Sequence, residues 1–288
     1  MSLSTNFLDI PSSISSYDSA KVAVLPIPYE ATTTYGKGTV RGPEAIISAS
    51  SQLECFDEEI KGEACQVGIA TLDPVDFSGE VGQEAIEKIK KRASEVIGDG
   101  KFLVGLGGEH TVTLGLVGGI LEHSSDFGVL QIDAHADLRE SYEGDPYSHA
   151  SVMRRIHDLG VTTIGVGIRS LCTEEMDYIG QAKVPVYFDR IIHENGFPLK
   201  DVLKNLPDKV YITIDVDGFA PSLVPATGTP EPGGLPWYET LSFLKSIFKE
   251  KSVLGFDVVE LLPRPGFEYV DFAMAKLINK LIGYRFCI

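Results

Sequence analysis

The sequence predicts a three-layer α/β/α fold around a central, mostly parallel sheet of eight strands. Two observations point to it. Short apolar runs alternate with amphipathic segments along most of the chain. The runs are nearly continuous in β-branched and other apolar residues, as expected of strands covered by helices on both faces. A third observation concerns domain number. The 288 residues contain no Ser/Gly-rich linker, internal repeat or low-complexity tract. Residues 1–288 therefore read as one domain, with 1–20 as an extended N-terminal segment.

The elements follow in order. KVAVLPIP (21–28) is the first strand. RGPEAIISAS (41–50) begins a helix, with Pro43 suited to its first turn. QVGIATL (66–72) is a strand. Residues 80–97 form a helix with Glu84, Glu87, Lys88, Lys91 and Glu95 on one face and Val81, Ala85, Ile89 and Val96 on the other. KFLVGL (101–106) is a strand, and 109–121 a helix. FGVLQID (127–133) is a strand, followed by a loop and a helix over 149–159. VTTIGVGI (161–168), KVPVYF (183–188), KVYITIDVD (209–217) and SVLGFDVVEL (252–261) complete the eight strands. Further helices fall at 173–179, 236–249 and 270–282. Count and length also suit a closed barrel.

Composition narrows the function classes. The formal net charge is −16. Such a chain repels phosphate backbones, which argues against nucleic acid as a partner, and attracts metals, amines and guanidinium compounds. Cys55, Cys65, Cys172 and Cys287 are scattered, with no C-x-x-C pair. They read as free thiols in a reducing compartment. The N-terminus lacks a basic region before an apolar run, and no stretch approaches the roughly 18 apolar residues of a membrane span. A cytoplasmic protein without membrane contact is expected.

The unusual polar residues fall at one kind of place. Asp133 ends the strand FGVLQI, and His135 and Asp137 follow it. Asp215 and Asp217 end KVYITI, and Glu260 ends SVLGFDVV. His110 follows KFLVGL after a Gly107-Gly108 turn. The C-terminal ends of parallel strands share one edge, where ligands bind. Four aspartates, two histidines and a glutamate would meet there. Bare carboxylates so close would hold protons; divalent cations let them stay ionised. In extended chain, i, i+2 and i+4 point to one side, so Asp133-x-His135-x-Asp137 presents three ligands and Asp215-x-Asp217 two more. Such a mixed set suits two metals of intermediate hardness, Mn²⁺ above all. Two metals about 3.5–4 Å apart can hold a bridging water as hydroxide near neutral pH.

Taken separately, each feature has a plainer reading. Asp215-x-Asp217 could cap a helix, His110 could be a hydrogen-bonded histidine near a helix start, and Glu260 could form a strand-end salt bridge. Their convergence on one edge favours metal. The glycines of GLGGEH lack the lysine and hydroxyl of a phosphate loop and read as a tight turn. ATGTPEPGG (226–234) reads as a rigid wall beside the site. His123, His157 and His193 read as surface residues, Cys172 as lacking a partner base, and Trp237 as packing at a helix start.

Together the motifs resemble the ureohydrolase family, which includes arginase and agmatinase. They are GGEHT (107–111), DAHAD (133–137), YSHASVMRR (147–155), GIRS (167–170), DVDGFAPSLVPATGTPEPGGL (215–235) and DVVE (257–260). The resemblance implies the open three-layer sheet rather than a barrel, and two Mn²⁺ per subunit. One ion would be held by His110, Asp133, Asp137 and Asp215. The other would be held by Asp133, His135, Asp215 and Asp217. A bridging hydroxide would attack the guanidinium carbon. Asp137 would pass its proton to the leaving amine, His149 matches the proton-shuttle histidine, and Glu260 matches the carboxylate that pairs with the guanidinium. A homotrimer or homohexamer is also implied.

LRESYEGDPYSHA lacks the asparagine of the arginase tract and resembles agmatinases. The expectation is hydrolysis of a small cationic guanidino substrate, agmatine, to putrescine and urea, a polyamine-forming step. Guanidinobutyrate, arginine or formiminoglutamate are alternatives within this C–N hydrolase class. A non-catalytic metal-binding member is an alternative outside it. A mononuclear zinc deacetylase is disfavoured by the second Asp of DAHAD together with His110. Glu140, Glu143 or Asp145 could meet the substrate's cationic end, and Arg169 reads as tying its loop. Two departures bear on substrate. Ala220 stands where the family usually has aspartate, and LLPRPGFEY follows DVVE in place of a shorter polar sequence.

Overall fold

The computed structural model describes residues 6–288. In chain order the strands are β1 (Val22–Ile27), β2 (Phe56–Asp57), β3 (Gly62–Glu63), β4 (Ile69–Thr71), β5 (Phe102–Gly107), β6 (Gly128–Ile132), β7 (Thr162–Ile168), β8 (Val186–Phe188), β9 (Lys209–Asp215) and β10 (Ser252–Val259). The α-helices are α1 (Ser12–Ser15), α2 (Gly42–Ser50), α3 (Gln83–Gly98), α4 (Val112–Leu121), α5 (Val152–Asp158), α6 (Thr173–Ala182), α7 (Asp189–Asn195), α8 (Leu199–Asn205), α9 (Trp237–Glu250) and α10 (Glu268–Phe286). Eight strands make one open sheet in the order β4-β1-β5-β10-β9-β6-β7-β8. Every pairing in it is parallel. Two apolar layers, one on each face, cover it with helices. This is the open three-layer α/β/α arrangement expected, and the closed barrel is excluded.

The eight expected strands are the eight of the sheet, and element ends differ for identifiable reasons. Gly82, at φ 57°, breaks the chain before α3, so that helix starts at Gln83 rather than at 80. Residues 109–111 form the turn that carries His110, so α4 starts at Val112. Helix α6 continues to Ala182 and stops at Lys183, which takes the left-handed conformation at φ 56°. That shortens β8 to three residues. The β2–β3 hairpin and helices α1, α7 and α8 were not expected; each is too short to show a clear periodicity. Of the segment 1–20, residues 1–5 lie outside the described residues. The rest holds a 3₁₀ turn (Phe7–Asp9) and α1 rather than extended chain throughout. Phe7 and Leu8 are buried against the sheet layer, each worth about 2 kcal/mol of apolar burial.

The topology positions the site. The chain builds β1, β4 and β5 on one side, crosses to β6, β7 and β8 on the other, and fills the gap with β9 and β10. The four central strands, β5, β10, β9 and β6, are those whose C-terminal ends carry the acidic and histidine motifs.

Candidate metal centre

The ends of β5 and β10 are locked together by two hydrogen bonds. The Glu260 N–H donates to the Gly108 carbonyl at 2.8 Å, and the His110 N–H donates to Glu260 Oε1 at 2.7 Å. Gly108 permits this, since a Cβ there would lie 2.1 Å from the Tyr29 carbonyl oxygen. Across the sheet, the Ala134 N–H donates to Asp217 Oδ1 at 3.1 Å, tying the ends of β6 and β9. Asp137 (φ 54°) and Glu260 (φ 64°) are both left-handed. Residues other than glycine are uncommon there, and such strain concentrates at functional sites.

These ties bring six of the expected side chains together. His110 Nδ1 lies 3.1 Å from Asp133 Oδ2, 3.0 Å from Asp137 Oδ2 and 3.5 Å from Asp215 Oδ2. His135 Nδ1 lies 3.0 Å from Asp217 Oδ2 and 3.7 Å from Asp133 Oδ1. Two groups have the spacing of a metal site: His110, Asp133 and Asp137, and Asp133, His135 and Asp217. Asp133 belongs to both. Asp215, with its Oδ1 accepting from the Asp217 N–H, stands beside the first group. His110 and the four aspartates are buried.

The charge balance shows what the cluster lacks. Burial and the nearby Asp133 push Asp137 up to about 7. Burial, with Asp217 and Asp133 beside it, holds Asp215 well above the carboxylate range. Burial and Glu109 do the same for Glu260. Burial opposes a charged His135, but Asp217 and Asp133 outweigh it and push the imidazole up to about 12. His110 likewise rises well above the ordinary range through Asp133 and Asp137, against its burial. The protein alone thus gathers protons where positive charge is required.

His110 indicates that a metal fits. Its Nε2 lies 2.9 Å from Thr213 Oγ1, whose proton goes to Asp257 Oδ1 at 2.6 Å. Nε2 therefore carries the hydrogen, and Nδ1 is left facing three carboxylates. Nδ1 is buried and makes no hydrogen bond of acceptable geometry. When the ring is neutral, a nitrogen lone pair and carboxylate oxygens converge on one point and repel, so either an added proton or a metal cation must lie between them. A divalent ion satisfies this donor set.

Around the cluster lies a cavity of about 210 Å³. His149 and Glu260 line it, as do Tyr35, Arg139 and Thr229. His149 is held by burial, and then by the positive charge placed on His110, at about 4. Gly228 and Thr229 form the wall expected of ATGTPEPGG. Arg169 holds that wall: its guanidinium donates to the carbonyls of Asp217 (2.6 Å), Glu231 (3.2 Å) and Pro232 (3.1 Å). It ties the loop, as its position in GIRS suggested.

Other expectations need correction. Glu140, Glu143 and Asp145 do not line the cavity. Glu140 is drawn off by Arg154 at 2.6 Å and Arg155 at 3.4 Å. Asp145 accepts from the Tyr147 N–H, and Glu143 is exposed. The acidic group beside the centre is instead Glu231, whose Oε1 is 3.8 Å from His135 Nε2. The segment after Glu260 acts at one remove: Leu262 packs against the Gly36 and Gly38 loop, and Arg264 donates to the Thr227 carbonyl. Ala220 sits against Gly234, where even a Cβ on the glycine would come within 2.6 Å of the Ala220 backbone. His123 and His193 are exposed and His157 is half-buried; none lines the cavity. Trp237 begins α9 and packs on Phe219.

Sequence reasoning missed Thr32, Glu109, Gln131, Thr213, Glu231 and Asp257. Gln131, Thr213 and Asp257 are polar residues inside apolar strand runs, which is the signal that could have found them. Gln131 Nε2 donates to Asp133 Oδ2 at 2.8 Å. Asp257 also accepts from the hydroxyls of Tyr211 and Thr113.

The model of the Arginase family matches residues 20–283. The chain belongs to the Arginase family. It is 43% identical over 278 residues to the N(1)-aminopropylagmatine ureohydrolase of Synechocystis sp., covering 94% of this chain and 91% of that one. It is 35% identical to the agmatinase of Pyrococcus horikoshii, covering 92% of each. The crystal structure of the agmatine ureohydrolase of Thermoplasma volcanium superposes with a TM-score of 0.86 at 32% identity, over 96% of this chain and 93% of that one. This arginase-family chain is a ureohydrolase enzyme with agmatinase-like relatives, and candidate metal ligands stand at its sheet edge.

Proposed function

We propose that the chain, acting as one ureohydrolase domain, is a manganese-dependent enzyme. It releases urea from agmatine, or from agmatine extended by an aminopropyl group, leaving putrescine or spermidine. The observation that carries this is His110 Nδ1, buried and facing Asp133, Asp137 and Asp215 within 3.5 Å at the cavity floor. His110, Asp133, His135, Asp137, Asp215 and Asp217 would hold two divalent ions. Bound there, the ions supply a water activated for attack at neutral pH.

The rest of the work falls to this chain. Glu260, at the cavity wall, pairs with the cationic guanidinium and aims its carbon at the centre. Its carboxyl, held up by burial and Glu109, is brought down by that same cation. Asp137, on the His110 side of the cluster, takes a proton and delivers it to the leaving amine. His149, neutral near pH 7, carries protons between cavity and solvent. The charge of −16 favours a polycationic substrate. Names of the relatives support both agmatine and its N1-aminopropyl derivative. The described cysteines are free, which fits a cytoplasmic enzyme; a homotrimer or homohexamer fits the family resemblance.

Arg139 favours a second reading. It lines the cavity and would suit the carboxylate of guanidinobutyrate, although Glu175 stands 3.9 Å away. The test is kcat/KM for urea release from agmatine, N1-aminopropylagmatine, arginine and guanidinobutyrate. The proposal expects one of the first two to lead; a lead for guanidinobutyrate would move the substrate to the second reading.

A further inference from the structure

His149 is gripped by a residue that lies outside the metal centre. Thr32 Oγ1 is 2.9 Å from His149 Nδ1 and 3.0 Å from the backbone nitrogen of His149. It is also 2.9 Å from Glu109 Oε1. A hydroxyl offers one proton and two lone pairs, and these three contacts use all of them. Glu109 is fully buried. It accepts from the N–H groups of Ala31 at 2.6 Å and Thr32 at 2.7 Å, and from the Thr111 hydroxyl at 2.7 Å. The Thr32 proton completes that set.

The consequence for the ring is definite. One Thr32 lone pair takes the His149 backbone N–H. The other can only accept, so His149 Nδ1 must donate. The neutral imidazole then carries its hydrogen on Nδ1 and its lone pair on Nε2. Nε2 has no hydrogen-bond partner among the described residues, and the ring lines the cavity. Tyr142 steadies the ring from the side, edge to face, with centroids 5.9 Å apart.

We propose that Thr32, held by Glu109, is a positioning residue that fixes the tautomer and orientation of His149, so that Nε2 presents its lone pair to the cavity. The tautomer follows from hydrogen bonding alone; its value in turnover rests on the proposed role of His149. Because Glu109 precedes His110 in the chain, one buried carboxylate orders both the proton carrier and the loop that supplies a ligand.

The test is ring ¹⁵N NMR of the full-length chain, labelled at histidine and loaded with diamagnetic Mg²⁺ or Zn²⁺. His149 is assigned by its loss in His149→Gln. The wild type should show Nδ1 protonated and Nε2 bare, and Thr32→Val should lose that preference while Thr32→Ser keeps it. A protonated Nε2 in the wild type, or a Thr32→Val spectrum like the wild type, would overturn the proposal. With Mn²⁺ bound, Thr32→Val should lower kcat about tenfold or more with little change in KM, and shift the pH profile. Thr32→Ser should recover most of the loss. A Thr32→Ser variant as slow as Thr32→Val would also overturn it. Wild-type activity in His149→Gln would instead defeat the proton-carrier reading and leave the tautomer result standing.

Discussion

His110 Nε2 donates to Thr213 Oγ1 at 2.9 Å, and the Thr213 proton is already given to Asp257. The chain His110–Thr213–Asp257 thus sets which nitrogen of His110 faces the carboxylates. Partners of this kind orient metal-ligating histidines. Thr213→Val keeps the shape and removes the link. It should weaken Mn²⁺ binding by about 10–100-fold, read by calorimetric titration of the metal-free protein. An unchanged affinity would mean that Thr213 does not orient His110 for metal.

In the proposed reaction Glu260 serves the substrate rather than the metals. Its Oε1 accepts from the His110 N–H, a bond that an amide oxygen can replace. Glu260→Gln should therefore retain both metals and the fold while losing the charge that aims the guanidinium. The expected fall in kcat/KM is about 100-fold or more. Metal content and turnover measured on one preparation separate this from a damaged centre.

Arg169 is worth testing with its nearest relative. Its fork reaches the carbonyls of Asp217, Glu231 and Pro232, and a lysine cannot span them. Arg169→Lys should cost about 2 kcal/mol of stability and raise KM as the wall at 226–234 loosens, with two metals still bound. Denaturant unfolding and steady-state kinetics report the two effects.

Acid sensitivity should arise far from the cavity. On the β2–β3 hairpin, Asp57 accepts an ion pair from Lys280 at 2.9 Å, and Glu59 receives Lys245 at 2.9 Å and the Tyr284 hydroxyl at 2.6 Å. Burial raises both carboxyls, but Lys280 for Asp57 and Lys245 for Glu59 outweigh it and hold them below the usual range. A depressed folded pKa gives stability that is present above the unfolded value, about 4, and lost as pH falls through the folded one. The hairpin should therefore release α10 below about pH 4. Lys280 keeps Glu59 at 3.2 Å and Glu58 at 3.5 Å, so Asp57→Ala should cost about 1–2 kcal/mol at neutral pH, the scale of one charged hydrogen bond, and should flatten the acid limb. A mutant with the wild-type acid profile would contradict this.

Legibility followed physical scale. The eight strands were readable because β-branched runs such as VTTIGVGI have no competing periodicity. The ligands were readable because Asp, His and Asp at alternate positions have few uses at a strand end. Thr32 and Glu231 were not readable. They sit in loops, and only folding brings Thr32 next to His149, 117 positions along the chain. The acids of LRESYEGD misled, because sequence could not show that Arg154 and Arg155, from α5, claim Glu140. Asp257 lies in DVVE in plain view, yet its use depends on Thr213, Tyr211 and Thr113 arriving from two other elements.

The proposed enzyme is a two-metal ureohydrolase built on His110, Asp133, His135, Asp137, Asp215 and Asp217. The most direct measurement is a titration of metal-free protein with Mn²⁺, following urea release from agmatine or N1-aminopropylagmatine against bound metal per chain. Activity should reach its plateau at two ions per chain. Full activity at one ion, or two bound ions with no urea from either substrate, would contradict it.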